Sequence, residues 1–146
     1  MVYYSHIMTK SKYTVSSFGL RVGKSKTGKG LFATEDIPKG KCLIEYIGKN
    51  LNEKEQEEAS GKYLFETGKN MMIDGNIPEN KARYINHSCL PNCEADGPKG
   101  RIFIFSKKNI KAGEELTYDY GKEYFDEHIK PKGCKCPKCS KKKKLT

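Results

Sequence analysis

Apolar positions come in short runs of three to six, set apart by glycine, proline and charged clusters, and no long stretch keeps a helical period. Strands are expected at 13–15, 20–22, 31–33, 42–47, 63–66, 71–74 and 101–105. The 42–47 run should set Cys42, Ile44 and Tyr46 on one face. Between the second and third strands, 23–30 holds three glycines and reads as a loop. Further turns are expected at 36–40, 68–70 and 111–114, where Gly accompanies Pro, Asn or Glu. One short helix, 53–59, has Asn52 as its cap and Glu55 in capping-box position, and its charged surface makes it peripheral. A second helix is expected over 122–130, where Tyr124–His128 and Phe125–Ile129 stand four apart. Residues 1–12 show no period. Many short strands with one or two small helices predict a mainly β single domain.

Composition narrows this picture. The chain has 146 residues, long enough for a core without disulfides; only 36% are hydrophobic, but nine Tyr and six Phe supply bulk. No run reaches the roughly 18–20 apolar residues of a membrane span. The start of the chain lacks a signal-peptide pattern, which leads to an expected cytoplasmic location, nuclear or chromosome-associated in a eukaryote or a host. In that setting six cysteines point to reduced thiols or metal. The net charge of +10 favours acidic or nucleoprotein partners. Its excess gathers at Lys135, Lys138 and 141–144, a tail able to make a weak nucleic-acid contact or simply to solubilise.

Three places carry candidate chemistry. Arg83-Tyr84-Ile85-Asn86-His87-Ser88-Cys89-Leu90-Pro91-Asn92 puts an amide, an imidazole, a hydroxyl and a thiol side by side. A buried strand would have to partner each of them, so the stretch reads as a turn facing a ligand. Cys134, Cys136 and Cys139 give three thiols within six residues among lysines, a spacing suited to tetrahedral zinc. A fourth ligand must come from Cys89, Cys93, Cys42 or His128, with Cys42 least suited because it reads as a small buried hydrophobe. Tyr118 and Tyr120 flank Asp119 and are expected to diverge if the segment is extended; core packing is the bland reading of the pair, proton handling or charge stabilisation the chemical one. The Gly28-x-Gly30 pair is neither a phosphate loop nor a dinucleotide fingerprint.

Taken in order, these stretches resemble SET-domain protein lysine methyltransferases. Residues 83–92 are similar to the signature R-[FY]-I-N-H-S-C-x-P-N. Residues 114–121 (Glu-Glu-Leu-Thr-Tyr-Asp-Tyr-Gly) are similar to the second signature, 28–33 to G-x-G-L-F-A, and 45–48 to E-Y-x-G. Residues 134–139 resemble the zinc-binding post-SET tail. The resemblance runs from about 18 to 139. It implies several small β-sheets around a C-terminal pseudoknot, an N-terminal extension over 1–17, a SET domain over 18–121 and a post-SET segment over 122–146. It also implies transfer of methyl from S-adenosylmethionine to a protein lysine; the basic charge suggests a histone or another chromatin-associated or basic protein as substrate, and a monomer is the simplest expectation. In that frame Thr27, Gly28, Lys29, Gly30, Tyr63, Arg83, Asn86, His87, Tyr120 and Tyr124 contact the cofactor. Tyr120 is the catalytic tyrosine, Tyr46 and Tyr118 line the lysine channel, and the hydroxyl of Tyr118 favours monomethylation. Cys89 becomes the fourth ligand to Zn2+, beside Cys134, Cys136 and Cys139.

The chain departs from the family pattern in places. Lys29 stands where Trp is frequent, Lys49 where Glu is usual, and Glu79-Asn80-Lys81 where Gly-Asn precedes Ala-Arg. Two residues, where many relatives have four, precede the last cysteine. These differences bear on substrate choice more than on chemistry. The rival readings are a catalytically silent SET-like module binding a lysine-rich or nucleic-acid partner, and a small zinc-stabilised nucleic-acid-binding protein.

Overall fold

A computed structural model describes residues 11–121, 126, 129–136 and 139. The expected helix over 122–130 and the lysine tail lie outside the described residues, apart from Asp126, Ile129 and Lys130 of the helix and Lys135 of the tail. The rest is mainly β, with four small sheets. Among the described residues no helix is long and apolar enough to cross a membrane.

The first sheet is a hairpin of β1 (Leu20–Ser25) and β2 (Gly28–Ala33), in antiparallel register from Leu20↔Ala33 to Ser25↔Gly28. The expected glycine loop over 23–30 is therefore mostly strand, turning only at Lys26 and Thr27. Pairing overrides the poor strand preference of glycine here, because Gly23 and Gly30 face each other across the ladder. Gly30 has a steric reason: a Cβ there would fall 2.4 Å from Glu115 Oε2. Gly28, at φ +117°, takes the positive φ that the two-residue turn requires.

Strand β3 (Cys42–Tyr46) pairs with β9 (Ile102–Ser106), which pairs with β8 (Cys93–Asp96), so β9 is central. All five residues of β9 are buried, and the period-2 alternation shares them between two clusters. Ile102 and Ile104 join the main core with Leu31, Ile37 and Leu116, while Phe103 and Phe105 pack with Cys42 and Tyr13. A register shift between Cys42 and Ile44 breaks the expected single face of β3: Cys42 goes to the second cluster, Tyr46 to the main one. Residues 13–15 are not a strand. Tyr13 stacks at 5.3 Å from Phe103, but the backbone tie nearby is one bond, Ser16 N–H to Cys42 O at 2.8 Å, too little for a ladder.

The third sheet orders β4 (Lys49–Leu51), β6 (Met71–Asp74) and β5 (Leu64–Gly68). Helix α1 (Glu53–Glu58) follows β4 with the expected capping box: Glu55 N–H donates to Asn52 Oδ1 at 2.8 Å, and Asn52 N–H to Glu55 Oε1 at 3.1 Å. It buries no residue. After a 3-10 turn over Lys81–Tyr84 comes β7 (Asn86–His87), which pairs in parallel with β10 (Thr117–Tyr118). Two residues of the stretch read as a turn are thus a short strand.

Asn80, 1% exposed, ties these sheets together. Its Nδ2 donates to Gly75 O at 3.0 Å, and its Oδ1 accepts from Ile47 N–H at 3.2 Å. Asn80→Ala strands both backbone groups in the interior. We expect a loss of about 2–4 kcal/mol in urea unfolding; a midpoint equal to wild type would mean that these groups find other partners.

Candidate functional site

The β7–β10 pairing sets the site. Ser88 N–H donates to Tyr118 O at 3.1 Å, which continues the parallel pairing by one bond. Asn92, at the far end of the same loop, grips the incoming strand: its Nδ2 donates to Glu115 O at 2.8 Å, and its Oδ1 accepts from Thr117 N–H at 2.9 Å. The side-chain amide acts as one more strand residue. Residues 85–92 and 115–120 are thereby held as one unit, although the sequence separates them.

Tyr120 is held at two points by that unit. Its hydroxyl donates to Ile85 O, and its backbone N–H donates to His87 Nδ1 at 3.1 Å. Its ring lies 4.8 Å from that of Tyr118 and 5.4 Å from that of His87. The expected divergence of Tyr118 and Tyr120 is wrong, since residues i and i+2 of extended backbone share a face. From Tyr118 the aromatic contacts continue to Phe65 at 6.0 Å and on to Tyr46 at 5.2 Å. Tyr46 is 3% exposed, and its hydroxyl donates to Tyr63 O at 2.7 Å. Tyr46 thus holds the backbone at Tyr63 as well as closing the aromatic row.

On the other side of β7, Asn86 Nδ2 is shared among Ser25 Oγ, Lys29 O and Glu115 Oε2, at 3.1, 2.9 and 2.7 Å. One amide thus ties the hairpin of Gly28, Lys29 and Gly30 to the strand that carries the tyrosines. The Lys29 ammonium stands over the ring of Tyr84 at 5.4 Å. The Arg83 guanidinium lies 4.7 Å from the ring of Tyr84 and 5.7 Å from that of Tyr63. It donates from Nη1 to Asn76 Oδ1 at 2.9 Å and from Nη2 to Tyr84 Oη at 2.6 Å, while Nε is buried with no partner. Lys29, Tyr63, Arg83, Asn86, His87 and Tyr120 are therefore brought together. Thr27 is exposed at the hairpin tip and reaches the group through Ser25 Oγ, 3.2 Å from its hydroxyl. Tyr124 lies outside the described residues.

Cys89, Cys134, Cys136 and Cys139 converge, with all four Sγ atoms within 4.8 Å of one another. Cys89 Sγ is 3.9 Å from both Cys134 Sγ and Cys139 Sγ. Four thiolates around zinc at about 2.3 Å would stand about 3.8 Å apart, so the set fits that ion. Burial opposes ionisation of Cys136, yet the backbone amides of Cys139 and Cys89 and the surrounding thiols bring it down to about 6. Burial, with those same thiols, pushes Cys89 up and Cys134 up to about 11. Cys93 faces the core, 1% exposed, and burial raises it to about 12; Cys42 is also buried and raised. Neither competes as a ligand, and His128 lies outside the described residues.

His87 links the two groups. Its Nε2 is 3.3 Å from Cys89 Sγ, and Asp119 Oδ1 lies 3.8 Å from its Nδ1. Burial pushes the imidazole pKa down, against the weaker upward pull of Asp119. Sequence reasoning missed Glu115, Ser25, Phe65 and the strand-like role of Asn92. For Glu115 a signal was present, since it stands inside the second signature and two residues before β10.

Comparison with known proteins agrees with this geometry. The family described as SET domain matches residues 28–121. The chain is 41% identical over 128 residues to histone-lysine N-methyltransferase trr of Drosophila melanogaster, covering 78% of this chain and 5% of that protein. It is 40% identical over 127 residues to human histone-lysine N-methyltransferase 2D, covering 78% and 2%. With ASHH3 of Arabidopsis thaliana, also named a histone-lysine N-methyltransferase, it shares 43% over 109 residues, covering 65% and 30%. The chain thus spans a small part of these relatives. Among solved structures, KRYPTONITE in complex with mCHG DNA and SAH superposes with a TM-score of 0.67 at 34% identity, over 77% of this chain and 25% of that one.

Metal content tests the thiol cluster. Protein purified with zinc should carry one zinc per chain by elemental analysis. Cys89→Ser should lose it and Cys93→Ala should keep it; equal zinc in both variants would remove Cys89 from the set.

Proposed function

The chain belongs to the SET-domain family, and from that membership we propose that it is a protein lysine N-methyltransferase that uses S-adenosylmethionine and favours monomethylation. The observation that carries this reading is Tyr120, pinned by its hydroxyl and its backbone N–H to residues 85 and 87 of the first signature, with Tyr118 packed beside it. The SAH in the KRYPTONITE complex supports the cofactor. So does the buried, unpartnered Nε of Arg83, beside the hairpin of Gly28, Lys29 and Gly30. The group that S-adenosylmethionine supplies when bound is an electrophilic methyl on a positively charged sulfur.

The residues of this chain do the positioning. Lys29 and Arg83 offer cations to the carboxylate of the cofactor's methionine portion. Gly28, with open space where a Cβ would stand, lets the backbone of the hairpin approach closely, and Gly30 lets the hairpin close over Glu115. Asn86 and His87 fix the segment that flanks it. A lysine side chain, with an unperturbed pKa near ~10.4, must lose a proton to become a nucleophile, and an apolar enclosure of aromatic rings favours its neutral form. Tyr46, Phe65, Tyr118 and Tyr120 supply such a wall. Because Tyr120 spends its hydroxyl hydrogen on Ile85 O, its oxygen acts toward the reacting centre as an acceptor, suited to polarised hydrogens there. The Tyr118 hydroxyl takes up room and hydrogen-bonding capacity that further methyl groups would need.

Under the same proposal residues 18–121 form the catalytic unit, 122–146 the zinc-closed segment and 1–17 an extension whose Tyr13 covers β9. Zinc, when bound, crosslinks the loop at Cys89 to the segment at 134–139. The proposal takes the chain to act as a monomer. The histone named in the relatives supports a histone or chromatin substrate, and a chromosomal setting over the cytoplasmic one expected from the sequence.

Methyl transfer to histones, basic chromosomal proteins and lysine peptides, read by intact mass, tests this reading. Wild type should add a single methyl. Tyr120→Phe should slow transfer about 100-fold or more while still binding cofactor; unchanged turnover would remove its catalytic role. In a separate reading of product state, Tyr118→Phe should yield di- and trimethyl product. An unaltered mixture would refute the monomethyl assignment.

A further inference from the structure

We propose that the His87 side chain is a positioning residue that couples the thiol cluster to the backbone of Tyr120. The inference rests on the methyltransferase reading only for the role of Tyr120; the coupling itself rests on geometry.

The hydrogen atoms of this arrangement are determined by its neighbours. Tyr120 N–H points at His87 Nδ1 from 3.1 Å, so Nδ1 must accept and carries no hydrogen. A neutral imidazole then bears its hydrogen on Nε2, which stands 3.3 Å from Cys89 Sγ. The tautomer is thereby fixed as an N–H···S donor to a candidate metal ligand. A hydrogen on Nδ1 directed at Asp119 would set two hydrogens against each other at the Tyr120 amide. Gly121 N–H donates to Asp119 Oδ1 at 2.9 Å, so that carboxylate already has a nearer donor.

A thiolate that accepts N–H at this point holds the ring plane, and the ring plane holds the amide of Tyr120. Since Ile85 O receives the hydroxyl of the same tyrosine, Tyr120 is clamped from 85 and 87, and the second clamp is anchored at Cys89. Outer partners of metal ligands typically change affinity or activity by 10–100-fold when removed. Here the partner reaches in both directions.

Three substitutions separate the two bonds. His87→Phe keeps a ring and removes both. In His87→Gln the Nε2 amide can reach Cys89 but nothing replaces Nδ1. In His87→Asn the Oδ1 can accept from Tyr120 N–H but no donor reaches the sulfur. Zinc transfer to a chromogenic chelator should be about ten-fold faster than wild type in His87→Phe and His87→Asn and restored in His87→Gln. With cofactor saturating, kcat should fall in His87→Phe and His87→Gln and recover in part in His87→Asn. Long-range proton–nitrogen spectra of zinc-loaded wild type labelled at histidine should show Nε2 protonated and Nδ1 bare. Protonation at Nδ1, or equal zinc transfer in wild type and His87→Phe, would overturn the coupling. A wild type that shows the expected tautomer and zinc retention but transfers no methyl would overturn the reading of the site instead.

Discussion

The parallel contact of β7 with β10, only two residues on each strand, is the constraint on which the site depends. Strand pairs this short contribute little by themselves. This one persists because Asn92 extends it with two side-chain bonds to 115 and 117, and because Leu116 and Tyr118 bury in the main core on one face. The hydrophobic effect holds the segment in place, and the amide of Asn92 sets its register. A slip of one residue would turn Tyr118 away from the core and Asp119 into it, which the cost of burying an unpaired carboxylate forbids.

Polar residues divide the work accordingly. Asn80, Asn86 and Asn92 each replace missing backbone partners where sheets end, and each connects stretches far apart in sequence, Asn80 through Ile47. Four sheets of two or three strands have many open ends. A fold of this kind therefore depends on side-chain amides that offer both donor and acceptor, as a backbone unit does. The aromatic row from Tyr46 to Tyr120 fills the space those amides define.

Much of this was legible in the sequence, for identifiable reasons. The capping box of α1, the strand β9 and the turn at 68–70 follow from local chemistry and appear as expected. Three members of the thiol cluster were visible in their spacing, and the fourth, Cys89, only through the family resemblance. Cys89, Cys93 and Cys42 differ in where the chain folds them, and spacing carries no such information. The glycine segment over 23–30 misled because loop preference was read without the partner strand that pairs it, and the face of β3 was misread because a register shift leaves no sequence mark. The signatures marked Asn86 and His87 clearly. That one ties down a hairpin depends on contacts 57 and 61 residues away, and that the other meets the Tyr120 amide depends on one 33 residues away.

The thiol set also fixes a moment in the life of the chain. Cys89 stands 45 residues before Cys134, and the four sheets are built from residues 20–118, all of them ahead of the last three ligands. Closing a loop of that length carries an entropic cost that grows only slowly with its size, and a chelated ion offsets it in one step. During synthesis, residues 20–118 can therefore fold into a scaffold that holds Tyr118 in its core while the ligand set is still incomplete. Completion waits for Cys139 to emerge. A nascent chain would bind metal late, so that zinc uptake marks the step from an open scaffold to a closed ligand set.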